Sequence, residues 1–460
     1  MNVVDNVATR ALDLARAELG PAAEIEVLAE REQAALTRFA NSYIHQNVAD
    51  ESARVTLRVH HDGRTAAANT SRIDDDGLRA LATRVAAAAR MLPADRFWPG
   101  LAPPSPPAGR GPVDRATAEA TPAERAERVK AFVTAADGLA AAGYCGTTHV
   151  ESAFANSAGQ HLTGAYTEAS FDGVARATAG STPADGVSRF ASSRLGDIDG
   201  AALGALAAGK ARGSVDAAYL PPGEYEVVLE PEAVADLLGA LALYCFNGKA
   251  FVEHQSYAKP GEAQFDPVLS IVDDPSAAGL PFDTEGTPKR PLDLVRGGVT
   301  TALTHSRRTA AEAGAESTGH ASLGSDTWGP FATHLTIDTP SGAAPDGAQS
   351  PAADVAAMVK DVQRGLLVTD IWYTRVLDPR PLIMTGLTRN GVWLIEKGEV
   401  AGPVRNLRFT QAYPQALGPG RVLGIGRCAV TQPTHGFGYQ SYRAPALRLA
   451  AWRFTGGAEG

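Results

Sequence analysis

The stretch VVLEPEAVADLLGALALYCFNGKA, residues 227–250, decides how the second half of the chain is read. Val227, Val228 and Leu229 run without a polar break, as in a buried strand. Glu230 and Pro231 end that run, and proline suits the first position of a helix. Val234, Leu237, Leu238, Leu241 and Phe246 then place apolar surface on several faces, so the spacing predicts a helix buried nearly all round. Glu232 falls in its first turn, where the macrodipole favours an acid, and Asn247-Gly248 predicts its end. From Leu237 to Phe246 the strongest polar group is the Tyr244 hydroxyl. On these residues the helix reads as core, without chemistry of its own.

Around this helix strands dominate. Turns are expected at Asp273-Asp274-Pro275, Gly297-Gly298 and Asn390-Gly391, an exposed loop at 340–351, and a helix after it. Upstream, Val4, Val7, Ala8, Ala11, Leu12, Leu14 and Ala15 give an amphipathic helix closed by Gly20-Pro21. Strands and a hairpin turning at Asp62-Gly63 follow, then a helix whose start carries an Asp run. A further helix starts at the cap Thr121 with Pro122 at its first position. Its density of prolines makes 99–112 a linker or surface loop. The predicted class is α+β. An N-terminal α/β-layered domain with an antiparallel sheet, 1–218, contains the linker-like loop 99–112. A mainly β, barrel-like domain, 219–460, carries the buried helix.

The chain has 460 residues, 44% apolar and 20% charged, as expected of two or three globular domains. A net charge of −9 argues against nucleic acid as the main partner, since phosphate binding needs a basic face. No segment approaches the 18 or so apolar residues of a membrane span. The amphipathic start lacks the apolar core of a signal peptide. Cys145, Cys245 and Cys428 lie far apart, with no CxxC. These features predict a reducing, cytoplasmic setting.

Local catalytic signals are few. None of the ten histidines precedes a Glu, and only His60-His61 lie within five residues of each other; that pair reads as a solvated hairpin end. No G-x-S-x-G elbow occurs. LGIGRCA, 423–429, matches a dinucleotide pattern, but no Asp or Glu occurs from Ala401 to Ala458 to meet a ribose. The same stretch carries Arg405, Arg408, Arg421, Arg427, Arg443, Arg448 and Arg453. They read as strand-face arginines paired with acids elsewhere, or as a groove for an anion.

Longer segments speak together. GLPFDTEGTPKRPLDLVRGGVTTALTHSRRTAAEAGAESTGHA (279–321), GLLVTDIWYTRVLDPRPLIMTGLTRNGVWLIEKGEVAGPVRNLRF (365–409) and GEYEVVLEPEAVADLLGALA (223–242) resemble blocks of the PmbA/TldD family. The likeness spans nearly the whole chain. TldD-type subunits of that family carry a zinc peptidase motif, His-Glu-x-x-x-His, on the helix after the VVL-x-P strand, with a distal Cys. TldE/PmbA-type subunits lack it and pair with a TldD-type partner. Laid on that frame, the metal histidines fall at Gly239 and Tyr244 and the catalytic Glu at Ala240. The resemblance therefore implies a subunit with no catalytic or metal residue of its own, Cys428 having no assigned role. Zinc is expected in a TldD-type metallopeptidase partner, in a heterodimer that cleaves peptides or peptide-like substrates. Substrate contacts are expected from Tyr244, His254, His305 and His320. The alternative is a stand-alone hydrolase or substrate-binding protein for a small natural product, with Glu253, His254, His305, Arg307 and Arg308 as the groups to test.

Overall fold

The computed structural model describes residues 3–106, 109, 111–178, 183–276, 278–340, 350–433 and 441–457. The first half begins with α1 (Val3–Leu19), followed by β1 (Glu24–Ala40), β2 (Tyr43–His61) and β3 (Arg64–Thr70). Next come α2 (Asp75–Met91), the one-turn α3 (Arg115–Ala118) and α4 (Pro122–Ala135). β4 (Ala140–Asn156), β5 (His161–Ala177), β6 (Ala184–Ser192) and α5 (Gly200–Gly213) complete this half. The strands form one antiparallel sheet in the order β3-β2-β1-β4-β5-β6. Local chemistry sets the helix ends. Thr121 and Glu124 form a reciprocal capping box with Pro122 at the first position, and Asp74 caps α2 through the Gly77 N–H at 2.6 Å.

Alternation along β1 divides its contacts. Ile25, Val27 and Ala29 pack with α1 and α2, and Phe39 packs with α4 and α5 at the other end. Leu28 points the other way and packs with Phe154, Leu162 and Phe282, the last from the second half. Gly286, at φ +73°, lets that turn approach the sheet. A Cβ there would lie 2.2 Å from Phe154.

The second half opens with β7 (Gly223–Leu229), α6 (Pro231–Ala240), a π-helical turn at Leu241–Cys245 and α7 (Gly248–Val252). β8 (Ile271–Asp273), β9 (Leu292–Arg296), β10 (Val299–Thr300), α8 (Arg307–Ala313), α9 (Ser325–Trp328) and β11 (Leu335–Ile337) follow. Then come α10 (Pro351–Lys360), β12 (Arg364–Asp378), β13 (Ile383–Glu396), β14 (Glu399–Pro403) and β15 (Leu407–Ala412). The remainder is α11 (Tyr413–Ala416), β16 (Val422–Ile425), β17 (Val430–Pro433), β18 (Ser441–Ala444) and β19 (Leu447–Gly457).

One sheet runs β10-β9-β8-β11-β18-β17. In the other, β12 pairs β7, β7 pairs β19, β19 pairs β15, β15 pairs β13 and β13 returns to β12. These five strands close into a ring, which removes their free edges. The expected α+β class, antiparallel first sheet and barrel-like second half are all present. α6 packs between β12 of the ring and β18 of the neighbouring sheet, within the largest apolar core.

Two expectations change. Asn390-Gly391 is not a turn but a bulge inside β13, with φ +59° and +130°, and it turns the Asn390 amide onto Asp370 at 2.8 Å. His60 is not a solvated end: it stacks on Trp98 at 4.8 Å and bonds Thr65. The proline-rich loop is held down over its first part. Arg307 donates to the carbonyls of Gly100 and Leu101, and the Asn156 amide to that of Ala102. Of the loop expected at 340–351, residues 341–349 lie outside the described residues, as does His435.

Candidate substrate cavity beside the buried helix

Helix α6 starts as its sequence dictates, with Glu230 at the cap and Pro231 at the first position. It stops where expected, at Asn247-Gly248, but not as a plain α-helix. Its last turn widens into a π turn, with the Phe246 N–H donating to the Leu241 carbonyl at 2.9 Å, and Asn247 then caps α7. The helix is buried nearly all round, with one face left partly open. Asp236, Gly239, Leu243 and Tyr244 are only partly covered, at the spacing of one helical face. That face lines a cavity of about 580 Å³. Ala240, Ile371, Trp372, Tyr373, Gln432 and Tyr442 are also in its wall.

The cavity holds more polar chemistry than its helix suggested. Burial and, less strongly, the neighbouring Asp370 push the Asp236 carboxyl up to about 7. Its Oδ2 accepts the Thr374 hydroxyl at 2.8 Å. Asp370 is held differently: Arg189 donates to both its oxygens at 3.0 and 3.1 Å, and Asn390 adds a third bond. So one acid has a buried cation and the other has only hydroxyl partners. Gln432 is buried, and its Oε1 has no hydrogen-bond partner among the described residues. Burial raises the Tyr244 phenol. Deeper down, Glu232 meets the Lys210 ammonium at 3.5 Å and Glu230 meets it at 2.7 Å. Burial alone would depress Lys210; the two acids outweigh it and hold it up. These pairs anchor α6 to α5.

Gly239, Ala240 and Tyr244 thus stand together on the cavity wall. Gly239 is tight: a Cβ there would lie 3.1 Å from Tyr442 Cε2. The donor set does not fit zinc, which takes three N, S or O side chains converging at about 2 Å. Gly239 and Ala240 offer no ligand atom, and among the described residues no group of three or more His, Cys, Asp or Glu is placed to hold a metal ion. Cys428 is half-buried near Asp354, and burial followed by that acid raises its thiol.

The other expected residues are scattered. His254 is exposed after α7, in a left-handed conformation at φ +58°. His305 is buried, its Nδ1 3.2 Å from the Thr309 hydroxyl; burial, then His320, lower its pKa. His320 is buried between Asp273, 2.9 Å from its Nε2, and Thr318, 2.9 Å from its Nδ1. It lines a second cavity of about 450 Å³, which shares the Phe331 wall with the first. Of the groups named for a stand-alone enzyme, Arg307 and Arg308 are tied to loop carbonyls and to Asp95, and Glu253 lies 3.8 Å from Lys249. Of the C-terminal arginines, Arg448 pairs with Glu226 and Asp361.

Two family models match the chain. The PmbA/TldA metallopeptidase C-terminal domain matches residues 222–456, and PmbA/TldA metallopeptidase domain 1 matches residues 25–89. The chain belongs to the PmbA/TldD family. Solved structures repeat its fold along almost the whole length. TldE from Thermococcus kodakarensis is 18% identical with a TM-score of 0.84, covering 98% of this chain and 100% of that one. A candidate modulator of a DNA gyrase from Thermotoga maritima is 17% identical with a TM-score of 0.82, covering 98% and 99%. At such identities the likeness concerns fold. No curated protein matches the chain. Among the described residues no helix is long and apolar enough to cross a membrane.

In this family frame, Asp236, Asp370 and Gln432 are what the sequence reading missed. They come together from α6, β12 and β17. Asp236 alone left a local signal, an acid past the first turn of a largely apolar helix, which is costly unless the site uses it.

Proposed function

We propose that this chain is a TldE/PmbA-like subunit of a peptidase pair. It supplies no zinc chemistry, docks on a TldD-type metallopeptidase, and contributes a cavity that receives part of a peptide or peptide-like substrate. The observation that carries this reading is the cavity beside α6: it is open where relatives are expected to carry metal ligands, yet walled by Gly239, Ala240 and Tyr244. Its polar groups suit an amide-bearing ligand. Below about pH 7 the Asp236 carboxyl keeps its proton and offers a donor, and Tyr244 offers a hydroxyl. Trp372 and Tyr373 stand exposed at the wall, ready to cover apolar parts.

An open strand edge supports pairing. β2 bonds β1 along its whole length, but its other side meets β3 only from Val55 onward. From Tyr43 to Arg54 that side has no strand partner among the described residues, and most of the segment is exposed. Such an edge accepts a strand from another chain.

The test is co-expression with a TldD-type subunit encoded in the same genome. The complex should co-purify, carry zinc in the partner and cleave unstructured peptide faster than the partner alone. Mixed subunits no more active than the partner would end this reading. Near-stoichiometric zinc on this chain alone, with hydrolysis, would favour the stand-alone enzyme instead.

A further inference from the structure

We infer that Lys289 is a nucleophilic amine, and that the second cavity takes an aldehyde or ketone with an apolar body, held on Lys289 as a Schiff base. Lys289 follows the turn that packs Phe282 on the first sheet, and its side chain lines the cavity. Its position is unusual for a lysine. The nearest hydrogen-bond partner of Nζ is the Thr333 hydroxyl at 3.4 Å, and no carboxylate lies within ion-pair distance among the described residues. By contrast, the Lys210 ammonium is paired with two acids, and the Lys249 ammonium donates to two carbonyls.

Lys289 is half-buried at the cavity wall. An ammonium drawn out of bulk water without an ion-pair partner is costly, and shedding the proton is the usual escape. Burial pushes Lys289 down, while Asp273 and Asp283, beyond pairing distance, pull it back only in part. The remaining titratable and charged groups around the cavity are His320 and His334 from the loops, and Glu30, Glu32 and Arg54 from the sheet. His334 is pushed down to about 4 by burial, so it is neutral above that pH. A second anion beside Lys289 would meet Asp273 and Asp283, so a neutral carbonyl fits better than a carboxylate. The Tyr166 phenol and the hydroxyls of Ser52, Thr284, Ser322 and Thr333 also reach the wall, but most of it is apolar or aromatic, with Leu28, Phe282 and Phe331 prominent.

In the step itself the free amine adds to the carbonyl carbon. The carbonyl oxygen leaves as water with the two amine hydrogens, and a C=N bond remains. Water reverses it, so no oxidant or reductant is needed.

The probe is benzaldehyde with cyanoborohydride, applied to the full chain at neutral pH and read by peptide mass mapping. Lys289 should be labelled at least about tenfold faster than exposed Lys259, the ratio expected when one amine is much more readily deprotonated. The advantage should shrink in solution above about pH 10.4, where ordinary lysines lose their protons. Lys289→Arg should abolish the fast label. Equal labelling of Lys289 and Lys259, or a ratio indifferent to pH, would overturn the proposal. The wild-type ratio needs no variant, so a misfolded mutant cannot confuse it.

Discussion

Arg189 on β6 and Asp370 on β12 are joined by two hydrogen bonds of 3.0 and 3.1 Å across 181 residues of sequence. The pair links the antiparallel sheet of the first half to the ring of the second, and its carboxylate stands in the cavity wall beside α6. Arg189 also bonds Asp172 at 3.0 Å, so one guanidinium serves two acids.

Replacing Arg189 by Met leaves both acids without their cation. Breaking a buried pair from one side costs about 3–5 kcal/mol, because the remaining charge stays desolvated. Thermal unfolding should fall accordingly for Arg189→Met, while the paired change Arg189→Met with Asp370→Asn should recover part of the loss. An unaltered melting temperature in the single variant would contradict the link.

Asp236 makes a pH prediction. Its folded pKa is raised from an ordinary 3.8 to about 7. The fold therefore holds a proton that the unfolded chain releases, and that stability is full below the ordinary value and lost as pH rises to about 7. Asp236→Asn keeps the shape and removes the titration. Relative to wild type, it should gain roughly 2–4 kcal/mol between pH 4 and pH 7 and then stay level. Denaturant melts across that range check it; parallel curves would refute the protonated acid.

Asp273 has the opposite sign. Burial would raise it, but the His320 ring outweighs burial and holds it well below the usual carboxylate range. Its stability is present above that range and lost as pH falls toward the depressed value. Asp273→Asn should cost about 1.5–3 kcal/mol at neutral pH, the worth of hydrogen bonds to a charged group. The deficit should close in strong acid.

Gly239 is tested by size. Gly239→His must displace Tyr442, whose ring carbon lies 3.1 Å from the added Cβ. Overpacking of this kind costs about 1–3 kcal/mol. Combining it with Tyr442→Ala should be less damaging than the sum of the two single changes. Simple additivity would show that the two positions do not compete for space.

Much of the fold was legible because the signals were local. The Thr121 box, Pro122 and Pro231 at first helical positions, and Asp62-Gly63 all fixed their elements through neighbours in sequence. Asn390-Gly391 misled for a physical reason. Left-handed backbone serves a bulge as readily as a turn, and only the partner strand decides which. The site was half legible. Gly239, Ala240 and Tyr244 were found through one helix, and they line one cavity. Arg189, Asp370, Gln432 and Lys289 were not singled out, since each gains its meaning from an element far along the chain. His305 and His320 were expected at the site from their place in a family block; His305 is hydrogen-bonded into the interior, and His320, though buried against Asp273, lines the second cavity.

The closed ring bears on how the molecule is made. β7 cannot meet β15 directly; β19 pairs with both and fills the gap. β19 is the last of the five to leave the ribosome, so the ring cannot complete while it is still being synthesised. Until then β7 and β15 each present an unpaired edge to other nascent chains. A truncation before Leu447 would make that interval permanent. Aggregation of such a product would reflect an unfinished circle rather than a weak core.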